Sequence, residues 1–279
     1  MPELPEVETV RRGLEKNLLG WKIQSAVQLH PRALNPRSAA PLSAIEGARI
    51  LELRRRGKFL WFVLNREYAL VAHLGMSGQF LINPEQDKHT RALFTVTRGL
   101  KRAQLHFNDQ RTFGWVSVEP LTHSVPRSAA DIALDPFEKS FDQEQVITDI
   151  KRRQVKIKTA ILNQNIISGI GNIYADESLW LAKIHPESLA NSLSRNEIKR
   201  TLDCATEVMS RAIEVGGTSF DDLYINVNGE SGYFEISLNA YGQEGEPCPR
   251  CGTLIRRIAF ANRSSHFCPR CQKVKSLKK

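Results

Sequence analysis

Four cysteines near the end of the 279-residue chain constrain its fold more than any other feature. They form two C-x-x-C pairs, Cys248–Cys251 and Cys268–Cys271, with 16 residues between the pairs. Two such pairs place four thiolates around one point and complete the tetrahedral coordination of a structural Zn²⁺, which leaves no open position for catalysis. The residues between the pairs alternate enough to form a β-hairpin. The spacing therefore predicts a four-cysteine zinc finger that holds one structural Zn²⁺.

The charge balance of the chain points to a polyanionic partner. Its 39 Lys and Arg residues outnumber its 30 Asp and Glu residues, which gives a net charge of +9. A basic soluble protein most often binds nucleic acid, and less often an anionic membrane surface. The longest apolar run, residues 59–64, is too short to cross a bilayer, and the first residues show no signal-peptide pattern. We therefore expect a cytoplasmic bacterial protein that associates with the nucleoid through DNA.

Hydrophobic periodicity divides the chain into a β-rich part and a helical part. Residues 5–19 have helical spacing, and Gly20 suits the end of that helix. Between residues 21 and 120, short runs of β-forming residues alternate with turn residues at the spacing of a β-sandwich. Residues 121–142 are aperiodic and contain Pro and Ser, so they are the predicted hinge.

The segment after residue 142 has helical periodicity. A Ser194-x-x-Glu197 capping box predicts the start of one helix, which the glycines at 216 and 217 should end. Cys204 lies alone within that helix and is predicted to be a core thiol. Residues 218–238 are rich in turn formers and are predicted to form a mobile loop. The pattern as a whole predicts an α+β protein with more than one domain.

The first residues carry a chemical possibility as well as a structural one. If Met1 is removed, Pro2 presents a secondary amine, part of which is uncharged at physiological pH because a terminal amine has a pKa of about 7.7–8.0. Such an amine can attack an aldehyde-like carbon and form an iminium ion, and Glu3 could move protons beside it. From the local sequence alone, a proline that merely begins a helix is the more common interpretation.

Seven ordered motifs together identify a family. They are PELPEVETVRRGL, RRGKFL, HLGMSGQF, DQRTFGW, ISGIGNIYADESLW, YGQEGEPCPRCG and RSSHFCPRCQ, and they run along essentially the whole chain. On these motifs the chain closely resembles formamidopyrimidine-DNA glycosylase, a bacterial family of base-excision repair enzymes. The resemblance implies an N-terminal β-sandwich with flanking helices (1–132), a helix–two-turn–helix domain with a lesion-capping loop (133–238) and the four-cysteine zinc finger with its β-hairpin (239–279).

The resemblance also implies roles for four residues in a bifunctional DNA glycosylase and abasic-site (AP) lyase. Pro2 matches the nucleophile that attacks the sugar carbon bearing the damaged base, and Glu3 matches its acid–base partner. Lys58 matches the lysine that binds phosphate near the lesion and assists strand cleavage. Arg263 matches the zinc-finger arginine that grips phosphates and assists the second elimination. The implied substrates are oxidised purines, 8-oxoguanine and formamidopyrimidines, which leave through a Schiff base and β,δ-elimination without a redox cofactor.

A second set of residues matches the family's DNA contacts. A base must leave the duplex before its sugar can be attacked, and side chains must then fill the gap. Met76 and Phe113 match two apolar wedges and Arg111 matches the guanidinium for the orphaned base; without the resemblance, both wedges would be interpreted as sandwich core. Asn172 matches a phosphate-binding asparagine after a turn whose backbone N–H groups favour an anion. The other matching positions are His73, His89, Arg153 and Lys158.

Some of these residues have simpler interpretations. His73 could be a satisfied histidine of the sandwich, and Arg153 and Lys158 lie in a basic run that alone indicates only a solvated face. Asp221 and Leu223 depart from the family in the loop that covers the flipped base. Base preference is therefore the least secure implication of the resemblance.

Two alternative functions stay open at this point. The family's sister enzyme for oxidised pyrimidines shares the terminal proline, although its opening typically has Gly where this chain has Leu4. A zinc-ribbon DNA-binding protein without chemistry is the other alternative, and the intact set of catalytic positions argues against it. The expected partner is double-stranded DNA with oxidised bases or abasic sites, bound by a monomer without any membrane partner.

Overall fold

The computed structural model describes residues 2–216 and 238–275. These residues divide into two compact units: unit 1 contains residues 2–131 with the pair 215–216, and unit 2 contains residues 132–214 and 238–275. The zinc finger shares unit 2 with the helices that follow residue 142, and the division into three domains stays a prediction. Asp221, Leu223 and nearly all of the predicted loop at 218–238 lie outside the described residues. Within the described ranges, no helix has the length and apolar character needed to cross a bilayer.

Unit 1 begins with helix α1 (Leu4–Leu18), close to the predicted span of 5–19. Glu3 and Glu6 form a capping box at its start, and Gly20 adopts a φ of 80° just after its end. The rest of the unit is β-structure with two short 3₁₀ helices (Pro31–Ala33 and Leu42–Ile45), and it ends with the short helix α2 (Arg127–Ala130). The strands are β1 (Lys22–Gln28), β2 (Ile50–Arg56), β3 (Phe59–Leu64), β4 (Tyr68–His73), β5 (Gly78–Ile82), β6 (Thr90–Arg98), β7 (Lys101–Asp109), β8 (Trp115–Thr122) and β9 (Val125–Pro126).

Two antiparallel sheets confirm the predicted β-sandwich. One has the strand order β1-β6-β7-β5 and the other the order β2-β3-β4-β8-β9. Strand residues alternate in burial, as on β6, where Ala92, Phe94 and Val96 enter a core that also contains Phe62 and Phe107. Apolar residues spaced three and four apart on α1 join the same core, so the helix lies against the sandwich.

The five-stranded sheet is buried on its second face as well. Trp61 and Val71 point away from the main core and pack with Ala129 of α2. Burial on both faces explains why the β3 sequence, residues 59–64, is continuously apolar instead of alternating. The predicted hinge at 121–142 therefore contains part of β8, the short β9 and α2.

Unit 2 is helical and ends in a β-hairpin. Its longest helix, α6, begins with the predicted capping box: the Ser194 backbone N–H donates to Glu197, and the Glu197 N–H donates back to the Ser194 hydroxyl. Cys204 on α6 is 9% exposed, as a core thiol should be. The helices are α3 (Gln143–Lys151), α4 (Ile157–Ile161), α5 (Asn172–Ala182) and α6 (Arg195–Glu214), and the hairpin strands are β10 (Arg256–Phe260) and β11 (Arg263–Phe267).

Candidate active site and nucleic-acid interface

The start of α1 fixes a carboxylic acid directly after Pro2. Glu3 is the residue that caps the helix, and it is 1% exposed. Its backbone N–H donates to Glu6 Oε2 over 2.8 Å, while its side chain accepts from the Glu6 backbone N–H. Glu6 therefore caps the helix together with Glu3, and Glu3 is held in one place beside Pro2.

Lys58 lies in the turn between β2 and β3, and its charge is felt by His73. The turn uses Gly57 at a φ of 54°, and Lys58 is half-buried. Phe59, the next residue, pairs with His73 across β3 and β4. Burial, followed by the nearby Lys58 ammonium, lowers the pKa of His73 to about 4. The imidazole is therefore neutral at physiological pH.

His73 is also packed within the sandwich, where it is the last residue of β4. Its Nδ1 accepts a hydrogen bond from the Gly75 backbone N–H at 3.2 Å, which places the ring proton on Nε2. The ring lies 5.0 Å from Phe59 and 5.8 Å from Trp115, measured between centroids. These contacts match the simpler interpretation of His73, and a DNA contact through Nε2–H stays a prediction.

A chain of contacts links α1 to the Lys58 turn. Glu8 on α1 accepts from Arg55 Nε at 3.1 Å, and Arg55 Nη1 donates to the carbonyl of Gly57 at 3.0 Å. Burial alone would raise the pKa of Glu8, but hydrogen bonds and charge from Arg11, with help from Arg55 and Arg12, lower it to about 2. Glu8 is thus ionised, and it ties the helix that follows Pro2 to the turn that carries Lys58.

Met76, Arg111 and Phe113 lie on two adjoining loops, residues 74–77 and 110–114, which we name the paired loops. Arg111 is exposed, Met76 is half-buried and Phe113 is 60% exposed. An aromatic ring this exposed is not part of the sandwich core. The paired loops touch through Gly75, where an added Cβ would lie 2.5 Å from the Gly114 nitrogen.

His89 lies beside the second of these loops. It is half-buried, and its carbonyl accepts a hydrogen bond from the Asp109 backbone N–H at 2.9 Å. Its Nδ1 is buried and has no hydrogen-bond partner within the described residues. The structure thus brings four of the predicted DNA contacts, Met76, His89, Arg111 and Phe113, onto connected backbone.

In unit 2, Asn172 is the first residue of α5. Gln164 shapes the turn that precedes it, since its Oε1 accepts from the Gly169 N–H at 2.9 Å and its Nε2 donates to the Ile170 carbonyl at 3.0 Å. Asn172 Oδ1 is buried and has no hydrogen-bond partner in the described part of the chain. The N–H groups at the start of this helix have the geometry that favours an anion.

The two basic positions of unit 2 differ from each other. Arg153 is exposed and lies between α3 and α4, as expected of a phosphate contact. Lys158 is 0% exposed, and its Nζ donates to Asp176 Oδ1 at 2.7 Å and to the Ser264 carbonyl at 3.0 Å. The Lys158 ammonium is thus paired among the described residues of the protein, and its contact with DNA stays a prediction.

Asp176 connects α5 to the β-hairpin. Its carboxylate accepts from the Ser265 hydroxyl at 2.7 Å and from the His266 backbone N–H at 2.9 Å, in addition to Lys158. Arg263 stands two residues before Ser265, is exposed and begins β11. Asp176 therefore holds the strand from which Arg263 projects.

The four cysteines converge as their spacing predicted. Their sulfur atoms all lie within 4.8 Å of one another, with Cys251 3.5 Å from both Cys268 and Cys271. Sulfur atoms around a tetrahedral Zn²⁺ are about 3.8 Å apart, because each Zn–S bond is about 2.3 Å long. The cluster therefore fits one structural Zn²⁺.

The cysteine cluster is attached to α5. Trp180 Nε1 donates to Cys248 Sγ at 3.4 Å, and the guanidinium of Arg250 lies 4.1 Å above the Trp180 ring. His266 is not among the clustered ligands within the described residues, as the four thiolates alone predict. The zinc site thus stabilises the hairpin and has no position for catalysis.

Three residues that organise the paired loops and the hairpin were not singled out from the sequence. They are Ser77 and Asp109, whose side chains hydrogen-bond to each other at 2.5 Å beside the paired loops, and Asp176. All three lie inside the motifs HLGMSGQF, DQRTFGW and ISGIGNIYADESLW. A small polar or acidic residue next to predicted DNA contacts was the available signal. Their partners, however, are distant in the sequence and become visible only in the fold.

Comparison with known proteins gives the same answer along the whole chain. Family models match the formamidopyrimidine-DNA glycosylase N-terminal domain at residues 1–116, its H2TH domain at 132–223 and the zinc finger found in FPG and IleRS at 245–274. The chain is 50% identical over 283 residues to formamidopyrimidine-DNA glycosylase of Rhodococcus erythropolis, which covers 98% of this chain and 97% of the relative.

Solved structures agree with the sequence comparison. The MutM (Fpg) protein from Thermus thermophilus matches with a TM-score of 0.86 and 36% identity, covering 99% of this chain and 100% of that one. A complex of Lactococcus lactis Fpg with DNA containing an abasic site matches with a TM-score of 0.85 and 34% identity, covering 97% of this chain and 99% of that one.

Proposed function

Since this chain belongs to the formamidopyrimidine-DNA glycosylase family, we propose that Pro2 is the nucleophile of its reaction and Glu3 the acid–base partner. The protein is a DNA glycosylase and AP lyase of base-excision repair that removes oxidised purines. The observation that carries the residue assignment is the burial of Glu3, which is 1% exposed and held in a capping box directly after Pro2.

The first step forms one bond and breaks another at the same carbon. The uncharged Pro2 nitrogen attacks C1′ of the damaged nucleotide, and the bond from C1′ to the base breaks as the base leaves with a proton. Loss of the Pro2 proton and opening of the sugar give an iminium ion, which draws electrons from the sugar. We assign the movement of protons in these steps to Glu3.

Strand cleavage follows from the iminium ion. Removal of a proton from C2′ expels the 3′ phosphate in β-elimination, and a second elimination expels the 5′ phosphate, which leaves a one-nucleotide gap. We assign phosphate binding and assistance in the first elimination to Lys58, whose turn is tied to α1 through Glu8 and Arg55. We assign assistance in the second to Arg263 at the start of β11.

One structural Zn²⁺ stabilises the hairpin from which Arg263 projects. The ion is held by Cys248, Cys251, Cys268 and Cys271. When bound, Zn²⁺ supplies the cross-link that a module of this size cannot obtain from an apolar core. The four thiolates fill its coordination, so it supplies no Lewis-acid chemistry.

The DNA interface is proposed to use the paired loops and the exposed basic side chains. Met76 and Phe113 replace the stacking lost when the base leaves the duplex, and Arg111 faces the orphaned partner base. The proposed contacts with the DNA backbone are His73, His89, Arg153 and Asn172. The net charge of +9 attracts the DNA, so affinity should fall steeply with salt. We place the protein in the bacterial cytoplasm, as a monomer on double-stranded DNA.

The proposed nucleophile is tested by trapping the imine with borohydride on a duplex containing 8-oxoguanine. We expect a covalent complex whose DNA-linked peptide, mapped by mass spectrometry, begins at Pro2. Pro2→Gly should weaken trapping, and a retained N-terminal Met should abolish it. Trapping that continues unchanged with an extended N-terminus would contradict the assignment.

The same assay separates the alternatives. Matched duplexes containing 8-oxoguanine or thymine glycol distinguish this enzyme from the sister enzyme for oxidised pyrimidines, because the first should be excised much faster. A zinc-ribbon protein without chemistry would bind both duplexes and trap neither. Equal or faster excision of thymine glycol would overturn the preference for oxidised purines.

A further inference from the structure

We propose that Asp109 is a positioning residue that locks the paired loops together, so that Met76, Arg111 and Phe113 enter the duplex as one preformed unit. The proposal rests on the DNA interface described above and adds a residue that contacts no DNA itself. Asp109 ends β7, is 1% exposed and lies between the two loops.

The carboxylate of Asp109 reaches both loops. Its Oδ1 accepts from the Ser77 hydroxyl at 2.5 Å and from the Arg111 backbone N–H at 3.2 Å. Its Oδ2 accepts from the Gly114 backbone N–H at 2.6 Å. Ser77 follows Met76, and Gly114 follows Phe113, so each bond fixes the backbone next to a predicted inserted residue.

The donors to Asp109 are all uncharged. Within the described residues the carboxylate makes no ion pair, and it is stabilised by one hydroxyl and two backbone N–H groups. Because a buried carboxylate is costly unless such donors converge on it, the loops must adopt this arrangement to satisfy it. A flexible cation could follow a moving carboxylate, whereas backbone donors cannot.

Backbone contact removes the remaining freedom of the loops. The Ser77 hydroxyl also accepts from the Arg111 N–H, at 3.0 Å. An added Cβ on Gly75 would lie 2.5 Å from both the Gly114 nitrogen and the Phe113 carbonyl carbon. The loops therefore pack backbone to backbone, and a shift in one requires a shift in the other.

The position of Phe113 shows what such locking achieves. Its ring is 60% exposed, so surrounding side chains do not hold it, and the backbone must set its direction. Ordering an exposed loop during binding would reduce affinity for the lesion, and a preformed loop avoids that loss. Asp109 therefore acts on insertion and gap filling, not on the chemistry at Pro2.

Asp109→Asn tests this inference because it keeps the side-chain shape but replaces one acceptor oxygen with a donor. The amide N–H₂ must then face donors at Ser77 and Arg111 or at Gly114. We expect excision of 8-oxoguanine from duplex DNA to fall about ten- to a hundredfold, as misplacement of groups away from the reacting atoms can do. Ser77→Ala removes one of the contacts and should give a smaller loss in the same direction.

A second substrate separates positioning from chemistry. Single-stranded DNA with a preformed abasic site contains no partner base and no gap to fill, so its cleavage and borohydride trapping by Asp109→Asn should match the wild-type rates. Fluorescence of 2-aminopurine beside the lesion should show reduced unstacking in the duplex. Asp149→Asn, an acid-to-amide change on α3, is the matched control and should leave every readout unchanged.

The outcomes distinguish this inference from the proposed function. If wild-type protein traps no DNA, the nucleophile assignment fails whatever Asp109 does. If the wild type traps DNA and Asp109→Asn excises 8-oxoguanine at the wild-type rate, the positioning role is refuted. A parallel loss on duplex and single-stranded substrates, in either Asp109→Asn or Ser77→Ala, would also refute it, since a role in gap filling cannot affect a strand without a partner.

Discussion

Two buried aspartates organise the two units by different means. Among the described residues, Asp109 in unit 1 accepts only uncharged donors, from the Ser77 hydroxyl and the backbone of residues 111 and 114. Asp176 in unit 2 accepts from the Lys158 ammonium, whose side chain is as fully buried as its own, and from Ser265 and His266 of the hairpin. One carboxylate shapes loops, and the other fastens a module.

The difference follows from what lies beneath each structure. The paired loops extend from a sandwich whose core contains residues from nearly all of its strands. The core stabilises the unit, and the loops require only that their conformation be fixed. Among the described residues, the apolar cluster around the cysteines is small, and in it Cys248, Cys268 and Ile255 meet Trp180. A module that cannot bury a core depends on metal and on charge pairing.

Removal of zinc should have the largest effect on stability and should separate the two units most clearly, because only unit 2 depends on the metal. Structural zinc sites of this kind contribute about 10–16 kcal/mol of binding free energy. With a chelator present, we expect hydrogen-exchange protection to disappear from β10 and β11 while the strands of unit 1 keep theirs. Trp180 emission should change as well, because its indole N–H donates to Cys248. Loss of protection in both units at once would contradict independent anchoring.

Asp176→Ala should have the next largest effect, a loss of stability in unit 2, because it leaves the Lys158 ammonium buried without its carboxylate. Breaking a buried pair in this way costs about 3–5 kcal/mol, which urea unfolding of unit 2 would measure. The exposed pair of Lys199 and Asp203 on α6 is the matched control, and Asp203→Ala should change stability by less than about 1 kcal/mol. Equal effects of the two changes would show that burial does not distinguish them.

Acid should weaken unit 1 through His73 by a smaller amount. The folded pKa of about 4 lies below the unfolded value of 6.5, so the unfolded chain takes up the proton first as pH falls. The contribution of His73 to stability is therefore complete above pH 6.5 and declines toward pH 4, by up to about 3 kcal/mol at about 1.4 kcal/mol per pKa unit. Exchange protection of β3 and β4 against pH measures the decline, and His73→Gln should flatten it. A profile with the same slope in that variant would assign the decline to another group.

Phe113→Ala should have the smallest effect on stability. It therefore tests whether the paired loops contribute to DNA binding without contributing to the stability of the sandwich. Because the ring is 60% exposed, its loss should change the free energy of unfolding by no more than about 0.5 kcal/mol. Phe107→Ala, in the sandwich core, should cost about 3–5 kcal/mol by the same thermal or urea measurement. Affinity for a lesion duplex should fall in the first variant. A large loss of stability there would place the ring in the core after all.

Local spacing was enough to predict much of this structure. The cysteine pairs, the capping box at Ser194 and Glu197 and the alternation on β6 each depend on residues close together in the chain, so the sequence exposes them directly. Strand β5, residues 78–82, shows no alternation, since four of its five residues are buried, and its register is set by pairing with β7, residues 101–109.

The two aspartate sites could not be predicted in the same way. Asp109 meets Ser77 across 32 residues, and Asp176 meets Ser265 across 89. The burial of Lys158 was hidden from the sequence for the same reason. Its neighbours in the sequence are basic and mostly exposed, and only the tertiary fold supplies the carboxylate that accompanies its burial. Sequence spacing predicts partners along an element, whereas partners between elements require the topology.

The meeting of Gly75 with Gly114 has a consequence for anyone who redesigns lesion selectivity. A methyl group added to Gly75 would lie 2.5 Å from the Gly114 nitrogen, so the two turns can be exchanged between homologues only together. A design that takes one turn from a homologue should therefore take the other turn from the same homologue. Libraries that randomise one turn alone will mostly contain variants with steric clashes instead of variants with new lesion preferences.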